Sequence, residues 1–236
     1  MRSSQIRASW CAGLAAILLL AAIPASGQDS GLVLLHKMQR ALGGADKIAA
    51  IHDLDWTIRA ETFDHSGKPI GQVTKRTRWI RPNYLRLDQV GPGDTYVLYF
   101  DGTSGWEILP DNKRVLKLVG SELEFARKYL FSFQLNLWTA DRAGGYTITS
   151  PAANVVRFSA NGYSDDITLD PRTWLPAEIL EWTTVQGVRF PAHQLHSHKD
   201  DGSADMRTQT VKFNSGLDPR VLAAKPPDLK PVLVSK

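Results

Sequence analysis

Two phrases constrain the fold of this chain more than anything else in it. They are Trp79-Ile80-Arg81-Pro82-Asn83-Tyr84-Leu85-Arg86 and Phe100-Asp101-Gly102-Thr103-Ser104-Gly105-Trp106. Each reads as a strand, a sharp corner and another strand, with aromatics set to face an interior. Proline removes a backbone donor, and Gly, Asn and Asp accept turn conformations, so neither corner can continue a ladder. Neither phrase is a catalytic motif.

The same pattern extends through the chain. From Asp53 the period is two: Trp56, Ile58 and Ala60 alternate with Thr57, Arg59 and Glu61, which predicts a strand with one buried face. Asp64-His65-Ser66-Gly67 is a turn. The run 70–80 carries Lys75, Arg76 and Arg78, so it reads as a twisted antiparallel strand with one wet side. Further strands are predicted over 84–90, 94–100, 105–109 and 114–119. Asn161-Gly162 marks a two-residue hairpin, Asp170-Pro171-Arg172 and Asp200-Asp201-Gly202 mark later turns, and a last hairpin spans 188–213. In all, about ten or eleven strands with short connections favour one antiparallel meander over βαβ units.

Helices are few. Leu32, Leu35, Met38 and Leu42 fall at near-helical spacing and end at Gly43-Gly44, with a short helical piece over 45–51. Ser121-Glu122-Leu123-Glu124 reads as a capping box. It opens a helix whose stripe is Phe125, Tyr129, Leu130, Phe133 and Leu137, too apolar to lie on water. Together with Trp56, Trp79, Trp106, Trp138, Trp174 and Trp182, this stripe predicts a thick apolar layer between sheet and helices. Such a layer is either a closed core or a binding cavity.

The first 27 residues read as a cleavable signal peptide. Arg2 and Arg7 form the basic part, 11–23 the apolar part, and Pro24-Ala25-Ser26-Gly27 the small-residue site before Gln28. An uncleaved anchor is the alternative. Cys11, the only cysteine, lies in this leader without a lipid-attachment context. The mature chain is therefore expected to carry neither lipid nor disulfide. Residues 28–236 suit one domain, with an extended tail from about residue 226. The formal charge is +4, two of it from Arg2 and Arg7; that excludes an electrostatic case for nucleic acid.

Reactive chemistry is sparse. His193, His196 and His198 with Asp200 and Asp201 are the best metal candidates. Only His196 and His198 share a strand face, so a solvated hairpin is favoured and no metal is expected. Gly102-Thr103-Ser104-Gly105 has the wrong spacing for a nucleophile elbow. No phosphate loop or dinucleotide fingerprint is present, so neither cofactor nor enzymatic activity is expected.

The two opening phrases resemble a known family, the LolA-like periplasmic carriers of outer-membrane lipoprotein sorting. Trp79-Ile80-Arg81-Pro82-Asn83 is similar to its W-x-(K)-R-P-N corner, and Phe100-Asp101-Gly102 with Trp106 and Pro110 to its next strand pair. Asp166-Ile167-Thr168-Leu169-Asp170 with Leu175-Pro176, and Val221-Leu222 with Pro226-Pro227, resemble later segments in the same order. The likeness covers roughly residues 50 to 228.

The resemblance implies a mainly β (α+β) fold: an incomplete antiparallel β-barrel of about eleven strands with helices covering the concave face. It implies a soluble, monomeric periplasmic protein that binds lipoproteins or lipids through their acyl chains, working between an inner-membrane exporter and an outer-membrane acceptor. An envelope sensor on the same fold, without transport, is the alternative. On this reading the sheet offers Trp56, Trp79, Tyr84, Tyr96, Leu98 and Trp106 to the cavity, and the lid offers Phe125, Tyr129, Leu130 and Phe133. Arg81 corresponds to the family's arginine that holds the lid by hydrogen bonds and serves release. Burying a methylene is worth roughly 0.8 kcal/mol, so three long chains represent on the order of 30 kcal/mol of gross burial that a carrier must shield from water.

Overall fold

The computed structural model describes residues 27–91, 95–109, 114–198 and 202–225. The leader up to Ser26, Pro110, the Asp200-Asp201 turn and the tail from Pro226 lie outside the described residues.

The chain begins with α1 (Gly27–Leu42) and α2 (Ala45–Ala49). Leu35, Met38 and Leu42 are fully buried, as their spacing predicts, and Gly43 ends α1 with a φ of 123°. A side chain at Gly43 would meet the Gly187 carbonyl at 2.2 Å, so the glycine also lets α1 approach the sheet. Six strands follow: β1 (Asp53–Phe63), β2 (Pro69–Ile80), β3 (Tyr84–Val90), β4 (Thr95–Phe100), β5 (Gly105–Ile108) and β6 (Val115–Lys117). Three helices come next, α3 (Gly120–Phe131), α4 (Gln134–Leu137) and α5 (Ala140–Ala143). The chain then makes β7 (Thr147–Thr149), β8 (Val155–Ala160), β9 (Tyr163–Thr168), β10 (Ile179–Val185), β11 (Val188–His198), β12 (Gly202–Phe213) and α6 (Pro219–Ala223).

Nine strands form one sheet in the order β10-β11-β12-β1-β2-β3-β4-β5-β6, every neighbouring pair antiparallel. Among the described residues β6 and β10 are its two edges, so the sheet is open, an incomplete barrel. The single meander expected from the short turns is corrected in one respect. β7, β8 and β9 form a separate three-stranded sheet, because their buried side chains Ile148, Val156 and Phe158 join the core under α1. Gly31 of α1 lies so close to Thr149 that a Cβ there would stand 2.6 Å from its carbonyl carbon. Within this small sheet, Asn161 and Gly162 both take positive φ, 53° and 82°, the hairpin turn their identity predicts.

The helix expected to run from Ser121 through Leu137 is broken. α3 stops at Phe131, Phe133 is extended with φ −65° and ψ 123°, and α4 starts anew. The Asn136 amide donates to the Leu130 carbonyl at 2.9 Å, which satisfies one acceptor the break leaves free. The reason for the break is burial: Leu130, Phe131, Phe133, Leu135, Leu137 and Trp138 all reach the core, and no straight helix turns that set to one side. The capping box is also corrected. Val119 is the N-cap, so Ser121 lies inside the first turn and hydrogen-bonds Glu122, while Glu124 accepts from Arg127 and Tyr163.

Two apolar clusters occupy the two faces of the large sheet. The major one fills the concave face beneath α1, α3, α4 and the small sheet. The minor one, Val97, Tyr99, Trp106, Ile108, Val115 and Leu222, lies on the convex face under α6. No helix among the described residues is long and apolar enough to cross a membrane.

Candidate functional site

The register of β1 to β5 sets the concave face in rows. Leu54, Trp79, Leu85 and Phe100 form one row; Trp56, Thr77, Leu87, Leu98 and Glu107 the next; Ile58, Lys75, Gln89 and Tyr96 a third. Residues two apart on a strand share a face, so these rows line one surface. The first row is wholly apolar and is the floor on which the helices sit. Polar groups enter only in the second and third.

The cover is built by α3 and the turn into α4. Ala126, Leu130 and Phe131 are buried, and the Phe133 ring lies 5.6 Å from the Trp79 ring. Tyr129 reaches down to share a side-chain hydrogen bond with Thr77, and burial pushes its phenol pKa up. Tyr163 of β9 donates to Glu124 of α3, tying the cover to the small sheet.

A cavity opens on either side of α3. One, of about 580 Å³, is lined by Asn83, Phe100, Gly102, Leu130 and Asn136 with Tyr146 and Tyr163. The other, of about 260 Å³, is lined by Tyr96, Leu98, Glu107, Ser121, Glu122 and Phe125. Glu107 is only 7% exposed, accepts from the Tyr96 hydroxyl at 3.2 Å, and is pushed above its ordinary pKa by burial. Tyr96 is in turn pushed up by burial, with the neighbouring carboxylate adding to it.

The two corner phrases meet in space. A Cβ at Gly102, which has a φ of 95°, would stand 2.5 Å from Asn83 Cβ. The Asp101 carboxylate accepts from the Thr103 and Ser104 amides at 2.8 and 2.7 Å, so Gly102 to Gly105 is a turn, as read. Arg81, at the other corner, is half-buried. Its Nε donates to the Ile51 carbonyl at 3.1 Å and its Nη1 to the Thr139 hydroxyl at 2.9 Å, with the guanidinium 5.2 Å from the Trp79 ring centre. Burial lowers its pKa, and Nη2 is enclosed without a partner among the described residues. The contact with the helical layer is thus to the turn between α4 and α5, not to α3.

The sheet residues expected to share one cavity divide between the faces. Trp56, Trp79, Tyr96 and Leu98 belong to the concave cluster, as do Tyr129, Leu130 and Phe133 of the cover. Tyr84 and Trp106 lie on the convex face, with Trp106 paired to Tyr99 and packed near Leu222. Phe125 is 56% exposed and sits on the flank of α3 beside the smaller cavity. Glu124, Arg127, Tyr146 and Tyr163 line the larger cavity without any sequence signal having pointed to them. Their convergence depends on how the small sheet docks.

The histidines separate. His193 is buried on the convex face, 3.0 Å from Asp205 and 3.5 Å from Glu181, rather than solvated. His196 is exposed on the opposite face of β11, and the His198 side chain lies outside the described residues. Among the described residues no group of three or more His, Cys, Asp or Glu could hold a metal ion.

No family model and no curated protein matches the sequence. Solved structures do. A DUF1329 family protein from Desulfovibrio piger aligns with a TM-score of 0.53 at 13% identity, covering 83% of this chain and 97% of that one. A domain from Vibrio parahaemolyticus described as an outer membrane lipoprotein-sorting protein aligns at 0.51 and 13%, covering 84% and 100%. A LolA superfamily protein from Nitrosomonas europaea aligns at 0.52 and 8%, covering 84% and 98%. At these identities the likeness speaks to architecture, and the architecture of this chain is a LolA-like fold.

Proposed function

We propose that this protein is a periplasmic binder and carrier of acylated cargo, lipoproteins or lipids, which it holds by the alkyl chains between sheet and cover. The observation that carries the reading is the pairing of an apolar concave face with a cover attached to it by side chains. Phe133 rests on Trp79, and α3 is flanked by cavities of about 580 and 260 Å³. The larger falls within the usual size of ligand sites. Displacing α3 would join the two spaces over Leu98 and Phe100 of β4, a floor suited to chains rather than to a polar substrate.

The lipoprotein-sorting description of the Vibrio structure and the LolA assignment of the Nitrosomonas structure support the same direction. On this reading the leader directs export, an inner-membrane exporter supplies cargo and an outer-membrane acceptor receives it. The working residues are then Trp56, Trp79, Tyr96, Leu98, Tyr129, Leu130 and Phe133, with Phe125 at the cavity rim and Arg81 governing release. Tyr84 and Trp106 support the convex face.

Native mass spectrometry of the mature protein purified from envelope extract tests this. Co-purifying lipid or lipoprotein mass, and quenching of tryptophan fluorescence by a synthetic triacyl lipopeptide, are expected. A clean apo mass with no quenching would overturn carriage. A stable protein complex surviving delipidation would favour the sensor.

A further inference from the structure

Strand β2 carries three cations, Lys75, Arg76 and Arg78, and their fates are unequal. Arg76 and Arg78 face the convex side, and each is matched by a carboxylate. Arg76 is held by Asp55 at 2.8 and 2.6 Å, and Arg78 by Asp88. Lys75, just before Arg76, points to the concave side, where its row neighbours are Ile58 and Gln89 and its same-face strand neighbours Val73 and Thr77. Among the described residues nothing pairs with its ammonium, and its half-buried position depresses its pKa by desolvation alone. A cation withdrawn from water without a counter-charge is a standing cost to the fold.

We propose that Lys75 anchors the oxyanion headgroup, carboxylate or phosphate, of an amphipathic ligand whose alkyl chain lies along the concave face. The inference rests on the acyl-binding reading and adds to it the charge of the bound headgroup. The surroundings fit such a molecule. Gln89, the next residue in the row, carries amide donors that can join Lys75 on an oxyanion. Tyr96 follows, two strand spacings or about 10 Å from Lys75, and it lines the smaller cavity with Leu98 and Phe125. A chain that starts at Lys75 therefore meets an apolar channel within a few methylenes. Glu107 in that cavity does not supply the missing counter-charge, because it stands on β5, three strand spacings from β2 and in the neighbouring row. An ammonium in contact with an oxyanion at a partly dry site makes charge-assisted hydrogen bonds, which a neutral headgroup cannot replace.

The test is calorimetric titration of the intact mature protein with dodecyl phosphate, dodecanoate, dodecanol and inorganic phosphate. The two anionic amphiphiles are expected to bind about tenfold or more tightly than dodecanol. Lys75→Met is expected to bring them down to the affinity of dodecanol, leave dodecanol binding unchanged, and raise the thermal midpoint of the apo protein. Lys75→Arg is expected to restore the preference. Equal binding of dodecyl phosphate and dodecanol, or a Lys75→Met variant that keeps the preference, overturns the anchor while leaving acyl binding intact. Inorganic phosphate binding as tightly as dodecyl phosphate overturns the amphiphile and leaves a free-anion site. Failure of all three dodecyl probes to bind overturns acyl binding and the anchor with it.

Discussion

Arg81 donates to the Thr139 hydroxyl at 2.9 Å, and that hydroxyl in turn donates to the Leu135 carbonyl at the same distance. A corner of the sheet is thereby linked through one side chain to the last turn of α4. The Arg81 Nε bond to Ile51 adds the segment after α2 to the same junction. From the other side, Gln39 of α1 donates to the Trp138 carbonyl and to Asp141, both at 2.9 Å. The α4–α5 segment is therefore pinned, while α3 rests on the sheet through Tyr129, Leu130 and its apolar neighbours.

Arg81→Leu removes the sheet-side pin. It should cost about 1–2 kcal/mol, the loss of two hydrogen bonds at a half-buried site, read from urea unfolding. Amide exchange over 134–143 should accelerate more than exchange over β1 and β3. Cargo should still bind but pass poorly to an acceptor, since the guanidinium no longer competes for the displaced helical layer. Unchanged exchange and unchanged transfer would remove the role assigned to Arg81.

Phe133→Ala should be the costlier change. The ring is 5% exposed and packed, tilted by 33°, against a tryptophan with no exposure at all. Truncating a buried phenylalanine costs about 3–5 kcal/mol, and here the loss falls on the break between α3 and α4. Chemical denaturation checks the magnitude. A loss under about 1 kcal/mol would mean that the ring is not seated on Trp79.

The sheet was legible because its signal is local. The alternation from Trp56 to Ala60, the Asn161-Gly162 turn and the corner at Arg81-Pro82 each report on a few adjacent residues, and their strands fall where the period places them. The faces were less legible. Trp106 pairs with Tyr99, not with Phe100, so it shares the convex face; one residue of hairpin register decides this, and no composition argument can. The partner that makes the convex position apolar, Leu222 of α6, lies more than a hundred residues away. The helix break at Phe133 was hidden for a similar reason: a continuous apolar run satisfies both one long helix and two short ones until the core to be filled is known. Lys75 was read only as a charge on a wet strand, because nothing in its neighbours tells the inner parity from the outer.

Gly31→Ala probes the docking of α1 on the small sheet. A methyl group there would stand 2.6–2.7 Å from the backbone of Thr149, which has no side-chain freedom with which to yield. Overpacking of this kind costs about 1–3 kcal/mol, although alanine is the better helix former. A thermal midpoint at or above that of the native protein would show that α1 does not pack on β7 as described.

Glu107→Gln tests the polar group beneath the cover through its pH dependence. Burial raises the carboxyl above its ordinary value of 4.5. Between that value and the folded-state value, the native protein binds more protons than the unfolded chain, so this group's contribution to stability falls as pH rises through the window. Below the window both states are protonated and the contribution vanishes. Glutamine keeps an acceptor for the Tyr96 hydroxyl and never ionises, so the variant should be more stable than the native protein at about pH 8 and lose that advantage towards about pH 4. Other titrating groups cancel when the two proteins are compared at each pH by urea unfolding. A difference that stays constant across the range would show that Glu107 titrates as a solvated carboxylate, and that the smaller cavity is open to water.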